Sequence, residues 1–362
     1  MEQKKKKRLS TPIILFIVLM AVTAGLCATA FGLWYSGRQT LTAQVVAPKL
    51  PTPVTEEAEA VPEAEAPEPA ELLETYTLRY NGKEYQYNEN IVNILLLGID
   101  ADNKPAEPLP YGSDIQVDVL LLAALDLENN KMSLLSINRD TMCQIEVVDE
   151  AGETVGYARS QVALSFSYGD GLEESCEKAV QAVSDLFYGL QIHGYGAFYM
   201  GGVASLNDAL GGVTVTILDD YPFTARGDIY SSMVAGITMT LTGKQAYAYI
   251  RSRTETEDGN TGRMQRQKQY MLAMLSQALN QVKENPGCIM GLYNSVADYL
   301  LTDLNLSRIM YLATCAASMD FSGDIRSLQG DLVLGEGSHM ELTLDETALY
   351  ELMLDVFYQE IG

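Results

Sequence analysis

Two histidines, His193 and His339, and five cysteines with no Cys-x-x-Cys pair give this 362-residue chain too few soft ligands for a His/Cys zinc site. The same scarcity leaves no evident Cys-His nucleophile. Basic residues are few: 24 Lys and Arg stand against 48 Asp and Glu, a net charge of −24. Phosphate backbones need a basic face, so a large duplex-DNA footprint is excluded and no nucleic-acid partner is expected. No internal repeat is present, which excludes a solenoid. What the chain does have is a hydrophobic fraction of 47%, enough for a substantial core.

Charge is absent between Arg8 and Arg38. Residues 13–34 are almost wholly apolar, about the roughly 20 residues a helix needs to cross a bilayer. Lys4 to Lys7 and Arg8 precede the run, and Trp34 and Tyr35 close it like an interfacial belt. This predicts a cytoplasmic basic tail (1–10), a transmembrane signal anchor (11–35) and an extracytoplasmic remainder on a single-pass cell-membrane protein. A cleaved signal peptide is the alternative, since Ala28-Thr29-Ala30 resembles a cleavage site, but the apolar run exceeds the ~7–15 residues of a signal core. Six of the twelve prolines and eight glutamates then fall within residues 46–75, so residues 36–75 read as a semi-stiff spacer holding a domain off the membrane.

Residues 76–362 fit one large domain. Ile91–Ile99, residues 119–125 and Lys131–Ile137 are aliphatic runs of strand length, the last two joined by the turn-forming Asp126 to Asn130; 213–217 reads as a further short strand. Apolar residues in 172–190 recur at spacings of three and four, and Gly243–Arg251, 262–283, 306–319 and 344–357 read as further helices, the second of them ended by Asn285-Pro286-Gly287. Strands mixed with helices in this order predict a three-layer α/β/α sandwich with a mixed central sheet behind one transmembrane helix.

Of the 19 basic residues beyond the tail, six lie between 244 and 268: Lys244, Arg251, Arg253, Arg263, Arg266 and Lys268. Arg263, Arg266 and Gln267 are spaced i, i+3, i+4, hence on one helix face beside the amino end, where amides and bidentate guanidinium groups suit a phosphate. A solvated face paired with Glu255, Glu257 and Asp258 satisfies the spacing equally well. Asp100 ends one strand, Asp118 starts the next, and Ser136-Ile137-Asn138-Arg139-Asp140-Thr141 ends the third. Two carboxylates beside an arginine suit one Mg²⁺, although strand-capping acids are commoner than metal sites.

The segment Asn93 to Asp100, Asp118 followed 21 residues later by Arg139, Asp208-Ala209-Leu210-Gly211-Gly212-Val213, Leu241-Thr242-Gly243-Lys244-Gln245-Ala246, and Arg251-Ser252-Arg253 with Arg263-Met264-Gln265-Arg266-Gln267 together resemble the LytR-CpsA-Psr family. The resemblance implies an α/β/α phosphotransferase that takes a glycosyl phosphate (teichoic acid-like, capsular or another polysaccharide) from a polyprenyl pyrophosphate carrier in a deep apolar pocket to peptidoglycan. It implies Asp100 and Asp118 as Mg²⁺ ligands and Arg139, Arg251, Arg253, Arg263, Arg266 and Gln267 as the pyrophosphate grip. Arg139, Arg263, Arg266 and Asp258 are then the catalytic set, with Asp258 orienting the acceptor hydroxyl. The 172–190 stripe and the Met-rich helix around Met271, Leu272, Met274 and Leu275 are expected to line the lipid pocket. Against the family pattern, Gln116 replaces an arginine, Asn138 a proline and Asn260 an acid, and an insertion with Pro105, Pro108 and Pro110 separates the two aspartates. A polyprenyl pyrophosphate phosphatase and a non-catalytic lipid-glycan-binding regulator of the cell envelope are the alternatives.

Overall fold

The computed structural model describes residues 29, 31–42, 45–51, 76–220, 223–225, 228–230, 233–252, 259–321, 323–335 and 339–361. At its centre a six-stranded mixed sheet runs in the order Leu300–Thr302, Gly194–Tyr199, Ile91–Ile99, Val117–Asp126, Lys131–Ile137, Ile325–Ser327. Ile91–Ile99 pairs parallel with Gly194–Tyr199 and antiparallel with Val117–Asp126, with a register shift at Gly98/Ile99. Alternation along each strand divides the core in two. Leu95, Leu97, Leu120, Leu122 and Leu135 face Cys176, Ala179 and Val183 of the helix Glu173–Leu186 together with Met353 and Phe357 of Glu346–Phe357. Val92, Ile94, Leu121 and Leu134 face Tyr311 and Leu312 of Leu306–Ser318 and, from Gly259–Glu284, Met271, Leu272 and Leu275. Helices on both faces are the expected way to bury strands apolar on both sides.

Local chemistry explains the boundaries. Asp126 accepts from the backbone N–H of Glu128 and Asn129 and Asn130 adopts φ 55°, closing the hairpin expected there. Thr242 and Gln245 form a capping box on Gly243–Arg251, while Asn305 and Asp345 cap the helices after them. The strand at Val213–Thr216 lies outside the central sheet, paired with Thr238–Leu241.

Two expectations are corrected. Residues 1–28 and 52–75 lie outside the described residues, and among the described ones no helix is long and apolar enough to cross a membrane. Of the proposed 36–75 spacer, the first part is not free: residues 31–41 are helical, with Leu41 buried in the core, and residues 45–51 pack on the domain. The second correction concerns the lipid pocket. The 172–190 stripe and the Met-rich helix sit on opposite faces of the sheet, and Cys176, Ala179 and Val183 are fully buried, so that stripe is core packing.

His193 accepts from the Asn93 N–H at its Nδ1 (3.0 Å), and burial pulls its pKa down to about 4 from 6.5. The folded state therefore holds the neutral ring while the unfolded chain protonates. Stability from this site is full above about pH 6.5 and is lost as pH falls toward 4. Thermal melts between pH 6.5 and 5, above most carboxylate titration, should show Tm falling in the parent and a flatter profile in His193→Gln; parallel profiles would contradict this.

Candidate active site

Three strand ends and two helix ends meet at one edge of the sheet. Asp100 follows Ile91–Ile99, and Asp118 is the second residue of the antiparallel neighbour Val117–Asp126. After Lys131–Ile137 the Asn138 side chain accepts from the Asp140 N–H (2.9 Å) and its carbonyl from the Thr141 N–H (3.0 Å), a turn that turns Arg139 toward Asp118. Arg139 pairs with Asp118 through one Nη and donates to Gln116 Oε1 at 2.6 Å through the other. Gln116 is thus an acceptor for Arg139, which an arginine in that place could not be. Arg251, ending its helix, reaches Asp100 at 2.9 Å and lies over the Tyr247 ring, whose hydroxyl donates to Asp102 (2.6 Å). Arg263, in the first two turns of Gly259–Glu284, stands 3.8 Å from Asp118 with its side chain only 11% exposed. In a chain of net charge −24, three arginines around two aspartates form a locally positive, partly dehydrated pocket suited to a multiply charged anion.

The other expected site residues are placed differently. Arg266 is completely buried: its Nε donates to the Tyr249 carbonyl (2.8 Å), its two Nη atoms engage Asp219 and the Ser252 carbonyl, and its head lies against the Phe223 and Tyr249 rings. Gln267 donates to the Ile250 carbonyl (3.1 Å). Both therefore hold the end of the helix that carries Arg251 and do not face Asp118. Here Arg266 is a positioning residue rather than the phosphate ligand that its spacing suggested. Arg253 and Asp258 lie outside the described residues. Asp140, not singled out from sequence, accepts from Gln161 (2.9 Å), and burial pushes its carboxyl above the usual range, with Arg139 opposing and Asp118 adding to the rise.

A second feature adjoins this cluster. Leu96, in the middle of a central strand, is 39% exposed while Leu95 and Leu97 on the other face are buried. It pairs in register with Gly196, where an added Cβ would stand 3.7 Å from Leu96 and 3.9 Å from Leu300, ordinary contact with room beyond. Gly98 and Gly196 beside it are also partly exposed, so an apolar patch of this strand is open two to four residues before Asp100. Nothing in the aliphatic stretch Ile94 to Leu97 signals this exposure.

Among the described residues no group of three or more His, Cys, Asp or Glu is arranged to hold a metal. Asp100 is paired with Arg251 and Asp118 with Arg139 and Arg263, so in this structure both carboxylates serve as arginine partners; as hard oxygen donors they are of the type Mg²⁺ takes one or two of. A model of the LytR_cpsA_psr family matches residues 57–341. The chain belongs to the LytR-CpsA-Psr family. Biofilm regulatory protein A of Streptococcus mutans is 24% identical over 265 residues, 72% of this chain and 61% of that protein. The polyisoprenyl-teichoic acid–peptidoglycan teichoic acid transferase TagU of Oceanobacillus iheyensis is 30% identical over 230 residues, 62% of this chain and 63% of its own length. Matches to both relatives thus span under two thirds of their length. Among solved structures, Bacillus subtilis TagV aligns with a TM-score of 0.56 at 22% identity, over 74% of this chain and 96% of that one. TagT bound to LI-WTA aligns with a TM-score of 0.52 at 20% identity, over 74% and 89%. At such identities the likeness is one of fold, and it covers the mixed sheet with helices on both faces.

Proposed function

We propose that this LytR-CpsA-Psr protein is a membrane-anchored phosphotransferase that moves a glycosyl phosphate of a secondary cell-wall polymer from a polyprenyl pyrophosphate carrier to peptidoglycan. The observation that carries the reading is the cluster of Asp100, Asp118, Arg139, Arg251 and Arg263 with the exposed Leu96 on the strand that ends at Asp100, since a polyprenyl pyrophosphate is a long hydrocarbon ending in concentrated negative charge. The names of the TagU and TagV relatives and the LI-WTA complex of TagT support the same substrate class. In the reaction the acceptor hydroxyl oxygen attacks the sugar-linked phosphorus, the P–O–P bridge breaks, and polyprenyl phosphate leaves. Little covalent chemistry is asked of the protein; holding the diphosphate in line and neutralising its oxygens does most of the work. Arg139, Arg251 and Arg263 supply that neutralisation, and Arg253 joins them in this reading. Asp100 and Asp118 would hold Mg²⁺, which when bound supplies further charge neutralisation.

The test is incubation of the detergent-solubilised full chain with a polyprenyl pyrophosphate glycan and peptidoglycan fragments. Release of polyprenyl phosphate together with phosphodiester-linked glycan on the acceptor is expected. Phosphate release into water that is indifferent to acceptor would replace this reading with the phosphatase one, and binding without turnover would replace it with the regulator.

Two substitutions probe the parts separately. Gly196→Leu should cover the exposed Leu96, lowering affinity for long-chain carriers at least about tenfold while sparing short-chain ones, because each buried CH₂ is worth about 0.8 kcal/mol. Equal losses for both chain lengths would remove the Leu96 patch from lipid binding. Asp100→Asn and Asp118→Asn remove an anionic oxygen each at nearly constant volume. Each should raise the Mg²⁺ concentration needed for half-maximal activity about tenfold or more, with recovery at high Mg²⁺; titrations that overlay the parent's would make these acids arginine partners only.

A further inference from the structure

Between the apolar amino-terminal run and the domain, the chain does not hang free. Residues 31–41 form a helix whose Trp34 ring meets the Tyr311 ring edge-on at 5.4 Å. Gly37 lies so close to Leu306–Ser318 that a Cβ there would stand 2.2 Å from the Ser307 carbonyl oxygen. Arg308 donates to the Thr40 hydroxyl at 3.3 Å, and Leu41 is 3% exposed in the cluster of Val92, Ile94 and Leu121. The segment 45–51 then reaches the other face. The Val46 N–H donates to Gln191 (2.8 Å), the Lys49 N–H to the Tyr188 carbonyl (2.8 Å), and Val45, Ala47 and Leu50 pack on the second core. From there residues 52–75 lead to Tyr76, whose ring meets that of Tyr87 and whose carbonyl accepts from the Tyr87 N–H.

We propose that residues 31–42 and 45–51 are a docked strap that fixes the domain directly at the bilayer surface, so that the acidic Pro-rich stretch 52–75, which follows the strap in sequence, does not set the distance between membrane and domain. The inference rests on the anchored, lipid-carrier reading above and specifies its geometry. Val92, Ile94 and Leu96 alternate along one strand, so the strap helix and the exposed Leu96 share a face of the sheet. A carrier whose hydrocarbon begins in the membrane then meets that apolar face on the side where the anchor emerges. A helix docked on its own domain has also already lost the conformational entropy that a free tether would surrender at each productive encounter.

The experiment reconstitutes the full chain in vesicles bearing acceptor-labelled lipid. The donor dye sits on Tyr157→Cys, a 68% exposed position, with Cys27, Cys288 and Cys315 changed to serine and the buried Cys143 and Cys176 retained. A second version duplicates residues 52–75. As a semi-stiff Pro-rich spacer, 24 residues becoming 48 would lengthen the reach from up to about 74 to up to about 149 Å at ~3.1 Å per residue. The strap predicts energy transfer unchanged by the duplication. In Gly37→Leu/Leu41→Asp, which forces the strap off, transfer should fall, and fall further with the duplication. A vesicle-bound parent whose transfer drops on duplication overturns the strap while leaving the anchor intact. A parent that does not float with vesicles overturns the anchor reading and this inference with it.

Discussion

Arg263→Ala should lower glycan transfer about 10³-fold with the fold retained. Its side chain is only 11% exposed and stands 3.8 Å from Asp118, where a pyrophosphate drawn to Arg139 and Arg251 would lie. Removing one preorganised donor from a water-poor site typically costs 10²–10³ in rate, and an arginine that meets transferring phosphoryl charge can be worth 10³–10⁵. Arg263→Lys should recover little, because an ammonium keeps the charge without the planar fork. Single-turnover transfer assays with a parallel thermal melt check this. A Lys variant working at the parent rate would remove Arg263 from the pyrophosphate grip.

Arg266→Ala should behave in the opposite way, losing the fold before the chemistry. Its three donor sites serve the Tyr249 carbonyl, the Ser252 carbonyl and Asp219, and its planar head lies against the Phe223 and Tyr249 rings. Truncation leaves two buried carbonyls unpaired and a cavity, while Asp219, one third exposed, can turn to water. Losses of this kind amount to roughly 3–5 kcal/mol, which for a domain of this size corresponds to a fall in Tm of about 10 °C. Arg266→Lys cannot span three acceptors and should be nearly as unstable. A melt within about 2 °C of the parent, together with lost activity, would return Arg266 to the phosphate site.

That pair of arginines also marks the boundary between sequence and tertiary structure. Composition and periodicity determined the α/β class, the central strands Ile91–Ile99 and Lys131–Ile137, and the helix Gly243–Arg251 to the residue, because long apolar runs and capping residues act locally. The motif spacing likewise brought Asp100, Asp118 and Arg139 to one place, since strand ends joined by hairpins must be neighbours. Gly194–Tyr199, a central strand, escaped notice because Gly194-Tyr195-Gly196 lacks an aliphatic run, and Leu300–Thr302 and Ile325–Ser327 are too short to carry a period. Arg263 and Arg266 share a helix face by spacing, yet three residues of helix separate them by about 60°. That angle is enough for one to reach Asp118 while the other sinks between helices, and only the packing of Gly259–Glu284 on Gly243–Arg251 decides which. The fate of residues 31–51 was decided in the same way. By sequence residues 31–35 read as the end of the anchor and 36–51 as the start of a tether, and it took the surface offered by Leu306–Ser318 and by the Tyr188 to Gln191 turn to bind them.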